Sequence, residues 1–154
     1  VIISVTYTPS EFKVDTNKIY SFYNSETNGF IFNPIIIGSN NIFSYALDSL
    51  QTSSGFLIDA NADYTAVNSA LNNTTGSGSG IYTVPIGKIL VILNLYSEGG
   101  IYAKPANASA ITICNGQNSS FENSANVTKI PIFLNEGDII YGVGTINGYL
   151  MNKW

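Results

Sequence analysis

The chain reads as an all-β protein, an antiparallel β-sandwich of jelly-roll-like character. Three observations carry that expectation. Short runs of β-branched and aromatic residues recur along most of the length, each closed by Gly, Pro, Asn or Ser. Hydrophobic residues fill 45% of the 154 positions, enough to build a core, while charged residues fill only 10%. Solubility therefore rests on Asn, Ser, Thr and Tyr, below the charge density usual for soluble domains. Only one stretch shows helical spacing. Many short strands separated by turn residues point to a sandwich or a barrel.

In the first half the expected strands are "VIISVTY" (1–7), "KIYSFY" (18–23), "FIFNPIIIG" (30–38), "NIFSYAL" (41–47) and "GFLID" (55–59). The exception is "DANADYTAVNSALNN" (59–73). There Ala62, Ala66, Val67, Ala70 and Leu71 recur at helix-like intervals, with Asp59 or Asn61 as N-cap, so this stretch reads as a short helix or a linker. "TTGSGSG" (74–80) follows as a flexible connector. The chain thus divides into a β-rich N-terminal region over 1–58 (a base or small sandwich), a linker over 59–80 and a jelly-roll-like C-terminal domain over 81–154. Whether the halves form one domain or two stays open.

The second half repeats the rhythm: "IYTV" (81–84), "KILVILNLY" (88–96), "GIYAK" (100–104), "AITIC" (110–114), "VTKIPIFL" (127–134), "DIIYGVG" (138–144) and "INGYL" (146–150). "VPIGK" suits a type I turn with Pro85 at its second corner and Gly87 at its fourth. "SEGG" (97–100) reads as a hairpin turn and "NEGD" (135–138) as another tight turn. The run "ILVIL" implies a strand covered on both faces. One pattern asks for a cause: counting by twos from Ile140, the last strand places Gly142, Gly144 and Gly148 on one face. Glycine inside a strand weakens it. Three explanations are open: a bulge at Gly142–Gly144 with an Asn147–Gly148 type I′ turn, close packing within the subunit, or a subunit interface.

Two stretches, "YTVPIGKILVILNLYSEGG" and "PIFLNEGDIIYGVGTINGYL", resemble compact β-sandwich domains of virion surface proteins: phage tail-fibre tips and the spike or head-fibre proteins of icosahedral bacterial viruses. The matching residues are Val84, Pro85, Gly87 and Lys88, then Pro131, Ile132, Phe133, Glu136, Gly137 and Asp138, and finally Gly144 to Leu150. The resemblance covers about residues 81–154 and rests on turns, not on chemistry. It implies a jelly-roll-like homotrimer on a bacteriophage particle, displaying loops to a host receptor.

Composition excludes much chemistry. The chain has no His, and its six basic residues, Lys13, Lys18, Lys88, Lys104, Lys129 and Lys153, are all Lys and scattered, with net charge −4. Imidazole-based nucleophilic and metal sites are therefore out, as are arginine phosphate clamps, and nucleic-acid binding is not expected. No apolar stretch reaches the length of a membrane span, so membrane insertion is not expected. The single cysteine, Cys114, sits in an apolar run and reads as a buried hydrophobe, against an intermolecular bridge or reactive thiol.

Carboxylate chemistry remains formally open through Asp59 with Asp63, or Glu136 with Asp138, though the latter two flank a turn glycine. "DANADY" supplies Asp59, Asn61 and Asp63 in the order of a calcium loop. It fails where Gly and Glu are required, since Tyr64 and Ala70 stand there. Among the aromatics, Tyr96, Tyr102 and Phe121 lie beside polar loops, and Trp154 either docks a terminus or stacks on a ligand. Asn72, Asn73, Asn107, Asn118 and Asn126 head N-x-[ST] sequons, which matter only in a eukaryotic secretory route.

The resulting expectation is a non-enzymatic spike- or fibre-like protein on the virion surface. It would be homotrimeric, seated among other capsid proteins, and would attach multivalently to a host surface receptor or polysaccharide. No catalytic residue, metal or cofactor is assigned, and the receptor-binding residues are unknown. The alternatives are a secreted carbohydrate-binding module or adhesin domain, and a penton or minor capsid component with a purely structural role.

Overall fold

The computed structural model describes residues 2–5, 11–21, 35–46, 53–56, 63–114 and 131–154. Within these residues every regular element is a strand, and the expected all-β class holds. In chain order they are β1 (Ile2–Val5), β2 (Glu11–Val14), β3 (Asn17–Ser21), β4 (Ile35–Ile36), β5 (Phe43–Ala46), β6 (Ser53–Phe56), β7 (Tyr64–Asn73), β8 (Tyr82–Thr83), β9 (Lys88–Lys104), β10 (Ile111–Cys114), β11 (Ile132–Asn135) and β12 (Ile139–Asn152).

The strands build three antiparallel sheets. Two are three-stranded, β4-β1-β6 and β3-β2-β5. The third has six strands in the order β10-β9-β12-β7, with β11 beside β9 and β8 beside β12, and it curls into a half-barrel. Its two long central strands follow from sequence: "ILVIL" has all of Ile89–Leu93 buried, one face in each of two clusters, as expected of a strand covered on both sides. Leu90 and Ile92 join Leu95, Ile101, Ile140, Ile146, Leu150, Val67, Leu71, Leu134 and Cys114 in the main core. The opposite parity, Ile89, Val91 and Leu93, packs with Tyr149, Met151 and Ile36. β3 and β4 come from the N-terminal half and lie against β9 and β12, so they supply a second layer.

A row of three asparagines helps bind that layer. Asn147 of β12 is the register partner of Asn68 on β7 and of Asn94 on β9. The Asn147 side chain is 0% exposed. Its Nδ2 donates to the Ile36 carbonyl at 2.7 Å and its Oδ1 accepts from the Ile36 N–H at 3.1 Å. The carboxamide thus pairs with β4 as another strand would. Asn68 Nδ2 donates to the Val14 carbonyl at 2.8 Å. Two backbone carbonyls and one amide that burial would otherwise leave without water are satisfied this way.

The glycines on β12 now have a cause. A Cβ on Gly142, Gly144 or Gly148 would run into the carbonyl oxygen of Gly100, Tyr96 or Val91 on β9. Gly142 and Gly144 also take φ of 141° and 156°, which other residues rarely adopt. The β9–β12 register shifts between Gly142 and Gly144 and again between Asn147 and Gly148. The extra residues lie on β9, which bulges and bends while β12 stays in register with β7 across ten pairs. The cause is close packing of backbones within the subunit, with the expected bulge at Gly142–Gly144. Asn147–Gly148 is not a type I′ turn; it sits inside a continuous strand, because β7 and β9 pair on both sides.

Three further expectations are corrected. The helix or linker in 59–73 is strand β7 over 64–73, with 59–62 outside the described residues. Val67 and Leu71 are four apart, an interval that serves both one helical turn and one face of a strand, and β12 offers a ten-residue partner. "SEGG" is not a hairpin turn, since β9 runs unbroken from Lys88 to Lys104 and 98–100 form its bulge. The 74–80 connector is an organised loop. Asn73 Oδ1 accepts from Thr75 N (2.8 Å) and Gly76 N (2.9 Å), and its Nδ2 donates to Ser77 O (2.6 Å) and Ser79 O (2.7 Å).

Candidate contact end of the curled sheet

One end of the half-barrel gathers the stretches that the sequence singles out. There β9 begins, β11 and β12 end, and β7 begins: Lys88 pairs with Asn152, Ile89 with Met151 and Asn135, and Met151 with Tyr64. Two turns cap it. In the first, Lys88 N donates to Pro85 O at 3.2 Å, so Pro85 takes the first corner, not the second, and Gly87 the third, with φ of 73°. In the second, Asp138 N donates to Asn135 O at 3.1 Å, with Gly137 at φ of 80°. A positive φ at the third corner is the type II requirement, and it is met by Gly in both.

The turns lock onto each other and onto the last residues. Val84 N donates to Asp138 O (2.9 Å) and Gly137 N to Val84 O (3.0 Å). Glu136 Oε2 accepts from Gly87 N at 2.7 Å, and Oε1 pairs with Lys153 Nζ at 2.7 Å. Lys153 N in turn donates to Gly87 O at 2.9 Å. The buried Asp138 carboxylate accepts from Asn135 N (2.9 Å) and Ala106 N (3.0 Å).

These contacts define what the acids do. Both oxygens of Asp138 hold backbone amides. The Lys153 hydrogen bond, the Gly87 amide and the Lys153 charge hold the Glu136 carboxyl below its ordinary range. A general acid working near neutral pH needs the opposite shift. Asp63 is exposed and accepts from Asn152 Nδ2 (3.2 Å), whose Oδ1 accepts from Lys88 Nζ (2.6 Å). Its sequence partners Asp59 and Asn61 lie outside the described residues. The calcium-loop reading fails further, because Tyr64 and Ala70 are strand residues of β7 and leave no turn at the sixth position. Among the described residues no three of His, Cys, Asp and Glu cluster as metal ligands.

With its charges paired locally, this end presents apolar groups outward. Ile86 is 92% exposed at the tip of the first turn, and Trp154 is 91% exposed one residue beyond Lys153. Tyr64 and Phe133, on the flanking edge strands, are exposed as well. Four of the six exposed large hydrophobics among the described residues therefore belong to this end. Such clustering is how interaction surfaces differ from the singly scattered apolar residues of ordinary surfaces.

The other aromatics are less available. Tyr96 is buried, and Phe121 lies outside the described residues. Tyr102 stacks on Tyr141 across the β9–β12 pair, centroids 5.2 Å apart and planes 22° apart. Gly76 lies against the Tyr141 ring, where a Cβ would stand 2.9 Å from Cε1. Trp154 does not dock the terminus into the fold. Cys114 is buried, as its apolar run implies. Of the sequons, Asn73 has its carboxamide engaged in the 74–80 loop, Asn107 stands exposed in a turn, and Asn118 and Asn126 lie outside the described residues. Ile86 was not singled out from the sequence. The available signal was an apolar side chain between the Pro and Gly of a two-turn clasp, where neither strand face can take it.

No protein family model, no curated protein and no solved structure matches the chain.

Proposed function

We propose that the protein is a non-enzymatic attachment module, a spike- or fibre-like component of a virion surface, and that it contacts its target through the sheet end bearing Ile86 and Trp154. The observation that carries this reading is the convergence of the "VPIGK" turn, the "NEGD" turn and the C-terminal residues into one hydrogen-bonded clasp with apolar side chains outside it. The two turns lie in the stretches that resemble virion surface domains. Carboxylates that would otherwise suggest hydrolysis support the scaffold by holding backbone amides. Recognition by such a surface is weak per copy, and a homotrimer repeated over a particle gains avidity from the number of ends engaged at once.

The test combines solution mass with adsorption. The expected results are a trimer at micromolar concentration, antibodies against the protein that block particle adsorption, and loss of host-cell binding in Ile86→Ser and Trp154→Ala with unchanged thermal midpoints. A monomer whose antibodies leave adsorption intact overturns the reading. Glycan binding by such a monomer would instead make it a carbohydrate-binding module.

A further inference from the structure

We propose that Asn147–Gly148 is a latent deamidation site which folding holds closed, so that unfolding of this chain becomes irreversible with time. The sequence holds three Asn–Gly pairs, Asn28–Gly29, Asn115–Gly116 and Asn147–Gly148, of which the last lies in the described residues. The chemistry belongs to this dipeptide generally. The Gly148 backbone nitrogen loses its proton and attacks Asn147 Cγ; the new C–N bond forms as Cγ–Nδ2 breaks, and ammonia leaves with that proton. Water then opens the five-membered succinimide to aspartate or isoaspartate. Glycine permits the attack because no Cβ shields its nitrogen and its backbone turns freely.

In the folded chain the carboxamide and the strand that carries it are held. The leaving nitrogen donates to Ile36 O, and Oδ1 accepts from Ile36 N and from Asn94 Nδ2 at 3.2 Å. The backbone on either side of the scissile carboxamide is paired with β7 through Asn68 and Val67 and with β9 through Asn94 and Ile92. Closing the ring requires rotating out of this extended strand and breaking both ladders.

The fold also explains why so labile a pair stands in the core. Gly148 cannot take a side chain, since a Cβ would run into the Val91 carbonyl. Position 147 has to offer a donor and an acceptor together to match both backbone groups of Ile36, which a carboxamide does and a carboxylate does not. Conversion of the Asn147 carboxamide to a carboxylate would remove the N–H that Ile36 O accepts. It would also place a charge at a side chain that is 0% exposed.

The test follows the wild-type chain at mildly alkaline pH, native and in urea, by mass spectrometry of the peptide containing residue 147. Asn28 and Asn115 in the urea sample report the intrinsic rate. Conversion at Asn147 is expected to match theirs in urea and to be at least roughly tenfold slower in the native protein, because reaction waits on local opening. Equal rates at Asn147 in both samples overturn the proposal, as does an Asn147 that stays intact in urea. A second measurement uses Asn147→Asp: loss of hydrogen-exchange protection at the Ile36 amide, or failure to refold, is the expected result. Wild-type protection at Ile36 in that variant overturns the claim of irreversibility.

Discussion

At the scale of single residues, the glycines of β12 separate two reasons for choosing glycine. Gly144 takes an unusual φ of 156°, and a Cβ there would also strike the Tyr96 carbonyl, a backbone atom that cannot swing aside. Gly78, in the 74–80 loop, has φ of 83° but open space where a Cβ would stand. Gly78→Ala therefore incurs only left-handed strain, about 1 kcal/mol. Gly144→Ala adds a collision that only separation of β9 from β12 relieves, so its expected cost is about 3 kcal/mol. Urea denaturation midpoints of the two variants check the ordering, and a Gly144→Ala protein as stable as Gly78→Ala would show that the strands part easily.

Among the elements, what the sequence made legible is what depends on composition and local turns. Strand character, the doubly covered "ILVIL" and the "NEGD" turn needed only β-branched runs and a glycine at the right corner. The misread elements all turn on a partner distant in the chain. β7 carries Val67 and Leu71 at an interval that suits either a helix or a strand, and only pairing with β12 decides between them. "SEGG" has hairpin composition, but β12 continues alongside and converts it to a bulge. The 74–80 loop looked like a flexible tether because its order comes from Asn73, one side chain just before it.

The clasp between the two turns was equally hidden, and it yields a test by pH. Glu136 has a folded-state pKa lowered from 4.5 by Lys153 and the Gly87 amide. A lowered pKa contributes stability that is present above the unfolded value of 4.5 and is lost as pH falls through the folded value. The thermal midpoint of the wild type is thus expected to exceed that of Glu136→Gln at neutral pH. The difference should narrow below pH 4.5 and then vanish. High salt should also shrink it, because the pair is exposed to solvent. A gap independent of pH would mean that the carboxylate does not hold the turns together.

For the molecule as a whole, the question is whether the N-terminal strands and the curled sheet fold as one unit. Two kinds of contact among the described residues join them. Ile36 packs on the outer cluster of Ile89, Val91 and Leu93, and the asparagine row pairs with the backbone of Ile36 and Val14. Apolar contact alone would tolerate sliding, whereas a carboxamide that both donates to and accepts from one residue fixes the register of the layer. Cutting that link leaves an N–H and a C=O of the half-buried Ile36 without their partners, at a cost of about 2–5 kcal/mol. If the halves are one cooperative unit, the full chain unfolds in a single calorimetric transition, and Asn147→Ala moves that transition down without splitting it. Two transitions in the wild type, with only the lower one sensitive to Asn147→Ala, would instead make the N-terminal layer a separately folded attachment. Under the proposed attachment role the difference is mechanical: a single unit carries load through β9 and β12, while a separable layer gives way first at Asn147.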